Sequence, residues 1–183
     1  MRIHRCVLAA LLLLPAAVSA KDPCVSGPQN GQKPGPYSFL VASGPQRGQP
    51  TCYVCETAEK PGMIVFARSA SPMLGKLLQQ ADQATADRPK GELTAWMTIL
   101  GEKTLSIDEL GKWAKEQGLK NVPTGVFDDP VGPPSYKLSP DADVTVILFQ
   151  NRKVTGNYAY FKGELDDNAV RQITDAIKAL GKK

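Results

Sequence analysis

Histidine is almost missing: the single one in 183 residues is His4. It falls in an N-terminal stretch, residues 1–20, that reads as a secretory signal peptide. Arg2 and Arg5 precede an apolar run from Cys6 through Leu14, and Val18-Ser19-Ala20 forms a small-residue cleavage site. The chain expected after cleavage therefore carries no imidazole. That excludes Ser-His and Cys-His catalysis and histidine metal sites, and since Glu56 follows Cys55 it also excludes the c-type haem motif. Long apolar runs are lacking too. The one in the signal is too short for a membrane span, which needs about 20 residues, and nothing later approaches that length. Charge of one sign is not in excess. Loss of residues 1–20 removes two arginines and no acid, so the formal net charge falls from +4 to +2. No basic cluster gathers on one predicted face, and nucleic acid is not an expected partner. Export implies a secreted or periplasmic protein in an oxidising compartment, where a disulfide persists. Cys24 follows the cleavage site, but Lys21, Asp22 and Pro23 stand where a lipoprotein signal has small and apolar residues.

Residues 62–78 organise the rest. Met63 to Ala67 have no polar alternation, which fits a strand covered on both faces. Ser71 is a good N-cap and Pro72 suits the first helical position, so a helix starts there, with Met73, Leu74, Leu77, Leu78 and Ala81 on one face. Ahead of this unit, residues 21–36 are rich in Pro, Gly, Gln and Ser and predict a flexible arm carrying Cys24. Residues 37–43 predict a first strand, followed by a turn cluster at 44–48. Downstream come a strand over 93–100 and a helix over 106–117, the latter with a Ser106–Glu109 capping box and a Leu105–Leu110 staple. A strand over 122–127 leads into a proline-rich loop over 128–140. A hairpin of 144–149 with 153–160 follows, and then a last helix with Asp166 as cap and Ala169, Val170, Ile173, Ala176, Ile177 and Leu180 on its inner face. Trp113, Tyr158 and Tyr160 read as packing residues. This is an α/β arrangement in one domain, residues 37–183.

Phe66-Ala-Arg-Ser-Ala-Ser-Pro-Met73 resembles the active-site segment of the thioredoxin superfamily, in which a central strand ends in Phe/Trp-Ala-x-x ahead of Cys-x-Pro-Cys at a helix start. The resemblance covers roughly residues 37 to 180 and extends to the secreted TlpA-like and peroxiredoxin-like branches. It implies a thioredoxin-like α/β fold, a central mixed sheet with helices on both faces and an N-terminal hairpin extension. Ala70 and Met73 stand where the two cysteines of that motif would be, so peroxide chemistry at the helix start is not expected. The family's cis-proline would fall at Ala142 or Asp143, two or three residues after Pro140.

The remaining chemistry lies in Cys52-Tyr53-Val54-Cys55. In an extended strand three residues span about 10 Å, whereas bonded cysteines need Cα atoms within about 7 Å, so the pair closes only if the chain turns. The Glu-Thr-Ala-Glu-Lys that follows favours such a helical turn, while Glu56 and Glu59 oppose a thiolate. Three readings compete. Cys52 and Cys55 are a displaced exchange pair, one attacking and one resolving, with Cys24 as an accessory thiol. Alternatively one bond is a structural staple, or all three cysteines join an acid around zinc. No cofactor or metal is assigned. A reading of another class makes the protein a non-catalytic binding module. Its peptide or protein partner would meet a surface of Ala70, Ser71, Pro72 and Met73, with Ser69 and the 128–140 loop beside it.

Overall fold

The computed structural model describes residues 22–101 and 105–181. The signal-peptide reading of residues 1–20 lies outside the described residues. In chain order the elements are β1 (Phe39–Ser43), β2 (Pro50–Thr51), α1 (Tyr53–Thr57), β3 (Gly62–Ala67), α2 (Pro72–Ala86) and β4 (Thr94–Leu100). They continue with α3 (Ile107–Glu116), β5 (Thr124–Phe127), a 3-10 turn at Pro134–Tyr136, β6 (Ala142–Gln150), β7 (Lys153–Phe161) and α4 (Asp167–Ala179). The strands form one mixed sheet in the order β2-β1-β5-β4-β3-β6-β7. β3 lies near its middle, parallel to β4 and antiparallel to β6, and all six of its residues are buried.

Alternation along β3 divides the core. Met63, Val65 and Ala67 join Leu74, Leu77 and Leu78 of α2, Leu110 of α3, and Val170, Ile173 and Ile177 of α4. Ile64 and Phe66 turn to the other face, where they meet Trp96, Ile147 and Phe149 together with Tyr37, Tyr53 and Tyr136. Three long helices thus cover one face, and the short α1 and the 3-10 turn cover the other. Successive strands moving one way through the sheet, joined by right-handed crossovers, place α2 and α3 on the same side.

The helix ends follow from local chemistry. Ser71 Oγ accepts from Leu74 N–H at 3.2 Å, and Asp166 Oδ1 accepts from Ala169 N–H at 2.8 Å. Both halves of the Ser106–Glu109 capping box form. Trp113, Tyr158 and Tyr160 are half-buried against the helical core, as packing residues should be. All peptide bonds among the described residues are trans.

The arm differs from expectation. Its segment from Ser26 onwards is fastened along β6 and β7. Ser26 is 2% exposed, and its Oγ accepts from Thr145 Oγ1 at 2.7 Å and from Ser139 N–H at 3.0 Å. Asn157 Nδ2 donates to the Ser26 and Pro28 carbonyls, and Gly31 and Gln32 exchange backbone hydrogen bonds with Val154. A Pro/Gly/Ser/Gln composition shows that a segment has little apolar surface to bury. It does not show where its carbonyls and N–H groups find partners, and here an edge strand provides them.

Candidate functional site

Cys52 and Cys55 are joined in a disulfide with a Cα–Cα separation of 5.3 Å, the closure that only a turned backbone allows. Cys52 is the N-cap of α1, and Cys55 N–H donates to Cys52 Sγ at 3.3 Å. Tyr53 anchors the helix: its ring stacks on Trp96 with centroids 5.7 Å apart and meets Phe39 at the same separation. Its hydroxyl donates to Gln46 Oε1 at 2.8 Å. Burial, assisted by the charge of Glu56, pushes the Tyr53 phenol up to about 12. Tyr53 and Thr57 therefore hold α1 against the sheet while Cys52 is half-buried and Cys55 is exposed.

Cys55 opens onto a groove of about 410 Å³. Pro34, Pro36, Val54 and Phe149 form its apolar walls, and Lys33 and Arg152 bring the charge. Arg152 sits in the β6–β7 turn, where it and Asn151 adopt positive φ of 57° and 52°. Asn151 N–H donates to the Glu59 carbonyl at 2.8 Å, which ties this turn to the segment just after α1. Lys33, Pro34 and Pro36 come from the arm, so the segment expected to be mobile builds one wall of the site. Composition concealed that contribution. The apolar run of 144–149 and the short Gln-Asn-Arg turn before 153 were the sequence signals for the hairpin that carries Phe149 and Arg152.

The other predicted surface is elsewhere. Ala70, Ser71, Pro72 and Met73 follow the C-terminal end of β3, whereas α1 precedes its N-terminal end. At about 3.3 Å per residue the strand alone separates the two by roughly 16 Å. Pro72 is exposed, and Ala70 and Met73 are half-buried against the helical core. Just before them Arg68 Nε donates to the Ala142 carbonyl at 3.0 Å and its Nη2 to the Ser139 carbonyl at 3.1 Å, and its Nη1 donates to the Pro130 carbonyl. The sequence reading gave Arg68 no role.

The zinc reading needs thiolates, and the sulfurs of Cys52 and Cys55 are bonded to each other. Among the described residues no three or more His, Cys, Asp or Glu side chains are grouped as metal ligands would be. Cys24 is half-buried and takes no part in the Cys52–Cys55 bond.

No family model matches the sequence, and none of the curated proteins does. Solved structures do. A candidate protein disulfide isomerase from Bacteroides thetaiotaomicron aligns with a TM-score of 0.61 at 15% identity, over 86% of this chain and 95% of the other. A secreted disulfide oxidoreductase from Mycobacterium tuberculosis, described as homologous to the DsbE of E. coli, aligns at 0.55 and 12% identity over 79% and 96%. The peroxidoxin BcpB of the same organism aligns at 0.54 and 15% identity over 84% and 98%. At such identities the likeness speaks for architecture: the chain has the thioredoxin-like fold, with a disulfide-bonded Cys-x-x-Cys ahead of its central strand.

Proposed function

We propose that the protein is an exported thiol–disulfide exchange protein that works through Cys52 and Cys55. The observation that carries this reading is the exposure of Cys55 on a groove while Cys52 stays half-buried behind it. A substrate thiolate attacks Cys55 Sγ, forming a substrate–Cys55 mixed disulfide and expelling Cys52 as a thiolate. The Cys55 N–H that already donates to Cys52 Sγ remains beside the sulfur as it takes the negative charge. A second substrate thiolate then attacks the substrate sulfur of the mixed disulfide and releases Cys55. Two electrons pass from the substrate dithiol to the pair, and the two released thiolates are protonated by water. Run in reverse, the same steps reduce a substrate disulfide, with Cys55 attacking and Cys52 resolving. The Bacteroides candidate disulfide isomerase and the secreted Mycobacterium disulfide oxidoreductase that share this fold support the reading, and secretion of the latter agrees with the signal-like N-terminus.

The test is alkylation and mass spectrometry of the purified protein across a glutathione or dithiothreitol series. Reversible interconversion near about −120 to −270 mV, together with loss of insulin reduction in Cys55→Ser, is expected. A bond that stays closed below about −300 mV would make the pair a staple and overturn the proposal.

A second reading, a partner-binding role for Ala70, Ser71, Pro72 and Met73, draws on the exposure of Pro72 at the start of α2. Recovery of partners from periplasmic extract by the intact protein and by Met73→Asp tests it, and equal recovery would count against the surface.

A further inference from the structure

The groove beside Cys55 is charged in one sense. Among the described residues its walls hold two cations, Lys33 and Arg152, and no acid. Both are exposed, and neither forms an ion pair with a described residue. They come from segments 119 positions apart that the fold fastens together. Lys33 follows Gln32, whose carbonyl accepts from Val154 N–H at 2.9 Å, and Arg152 lies just ahead of the same strand. Glu56 and Glu59 carry the opposing charge nearby in sequence, but neither lines the groove. Between the cations, the exposed Pro36 and half-buried Val54 give an apolar surface on which a short extended segment can lie, with the buried Pro34 and Phe149 behind them. The space of about 410 Å³ is within the range of sites that take small ligands or a few peptide residues.

We propose, resting on the exchange reading above, that the substrate is a cysteine-containing peptide segment with carboxylates flanking its thiol. The segment's cysteine meets Cys55 while its carboxylates face Lys33 and Arg152. The exchange step is unchanged: the substrate sulfur bonds to Cys55 Sγ, the Cys52–Cys55 bond breaks, and Cys52 leaves as the thiolate. The cations act on encounter. Opposite charge raises association rates by about tenfold or more, and because Lys33 and Arg152 are exposed that gain is screened at high ionic strength.

Three short peptides of equal length test this, each with a central cysteine flanked by aspartate, asparagine or lysine. Each rate of opening the Cys52–Cys55 bond is divided by that peptide's rate with hydroxyethyl disulfide, which removes differences in thiol pKa. At low ionic strength the aspartate peptide is expected to react about tenfold faster than the lysine peptide, and high salt should abolish the difference. The double substitution Lys33→Glu with Arg152→Glu should reverse the order. If the aspartate and lysine peptides open the bond equally fast in the native protein, the acidic-substrate proposal is overturned and exchange at Cys55 stands. A bond that neither dithiothreitol nor any peptide opens removes the exchange reading and this proposal with it.

Discussion

Ser69 Oγ donates to both carboxylate oxygens of Asp143, at 2.9 and 3.0 Å, and so joins the end of β3 to the start of β6. Arg68, one residue earlier, gathers three carbonyls from the Pro130, Ser139 and Ala142 region. The proline-rich loop that the sequence offered as a wall of a binding surface is thus held down by Arg68, just past the end of the central strand, while Ser69 fixes the start of β6 beside it. Hydrogen bonds made by a charged donor contribute about 1.5–3 kcal/mol, and removing the guanidinium leaves its carbonyls unpaired. Arg68→Met is therefore expected to lower stability by about 2 kcal/mol in urea unfolding. The opening rate of Cys52–Cys55 should stay at the native value, because that bond lies at the far end of β3. A change in the opening rate without a change in stability would show that the two ends of the strand communicate.

Gly62 faces Phe149 across the antiparallel β3–β6 pair. A Cβ at Gly62 would lie 2.2 Å from Phe149 Cζ, so only glycine leaves room for the ring. Gly62→Ala is expected to cost about 1–3 kcal/mol through overpacking. Combining it with Phe149→Leu should recover part of that loss, which a double-mutant cycle in guanidinium would measure. Additive losses would mean that the ring escapes the new methyl group without strain.

Much of the scaffold was legible because its signals are local. The apolar run of β3, the Ser71-Pro72 start of α2, the Ser106–Glu109 box and the inner face of α4 each specify an element within one window of sequence. The site was only half legible. The Cys-x-x-Cys spacing announces a turn, but the groove beside it is assembled from Lys33, Phe149 and Arg152, which meet through long-range pairing of the arm with β7 and of the hairpin turn with Glu59. Backbone hydrogen bonds to an edge strand leave no mark on composition, so a fastened arm and a loose one read alike. Arg68 was silent for the same reason: its partners are carbonyls, which every residue has.

Burial sets the protein's response to alkali. It raises the phenol of Tyr53 to about 12 and holds those of Tyr37 and Tyr136 well above the usual tyrosine range. Tyr158 and Tyr160 are raised as well, each mainly by burial. Raised folded-state values mean that the folded protein holds these protons more tightly than the unfolded chain does. The associated stability is complete below the unfolded value of about 10 and is lost as pH rises through the folded values. Phenolate absorbance should therefore lag at pH about 10–11 and then rise together with loss of the circular dichroism signal. In urea the same tyrosines should titrate near 10. Titration of all five near 10 with the fold intact would contradict the buried aromatic cluster.

Reduction of Cys52–Cys55 links the site to the stability of the fold. The bond closes a ring of only four residues, for which loss of unfolded-state freedom amounts to about 2 kcal/mol. Guanidinium unfolding with and without reductant should differ by about that much, and the Cys52→Ala, Cys55→Ala double variant should match the reduced protein. Linkage makes the effect reciprocal: the folded pair is then more reducing than the same pair in a Cys-Tyr-Val-Cys peptide by about 40 mV, since 30 mV corresponds to about 1.4 kcal/mol. That shift is smaller than the roughly 150 mV spread among exchange catalysts, so docking α1 through Tyr53 leaves the bond open to substrate thiols. A loss of 4 kcal/mol or more, with a shift near 90 mV, would mean that the fold holds the bond through more than ring closure. In that case Cys52–Cys55 would be a staple that secures Tyr53 against Trp96, and exchange with substrate would fail as its function.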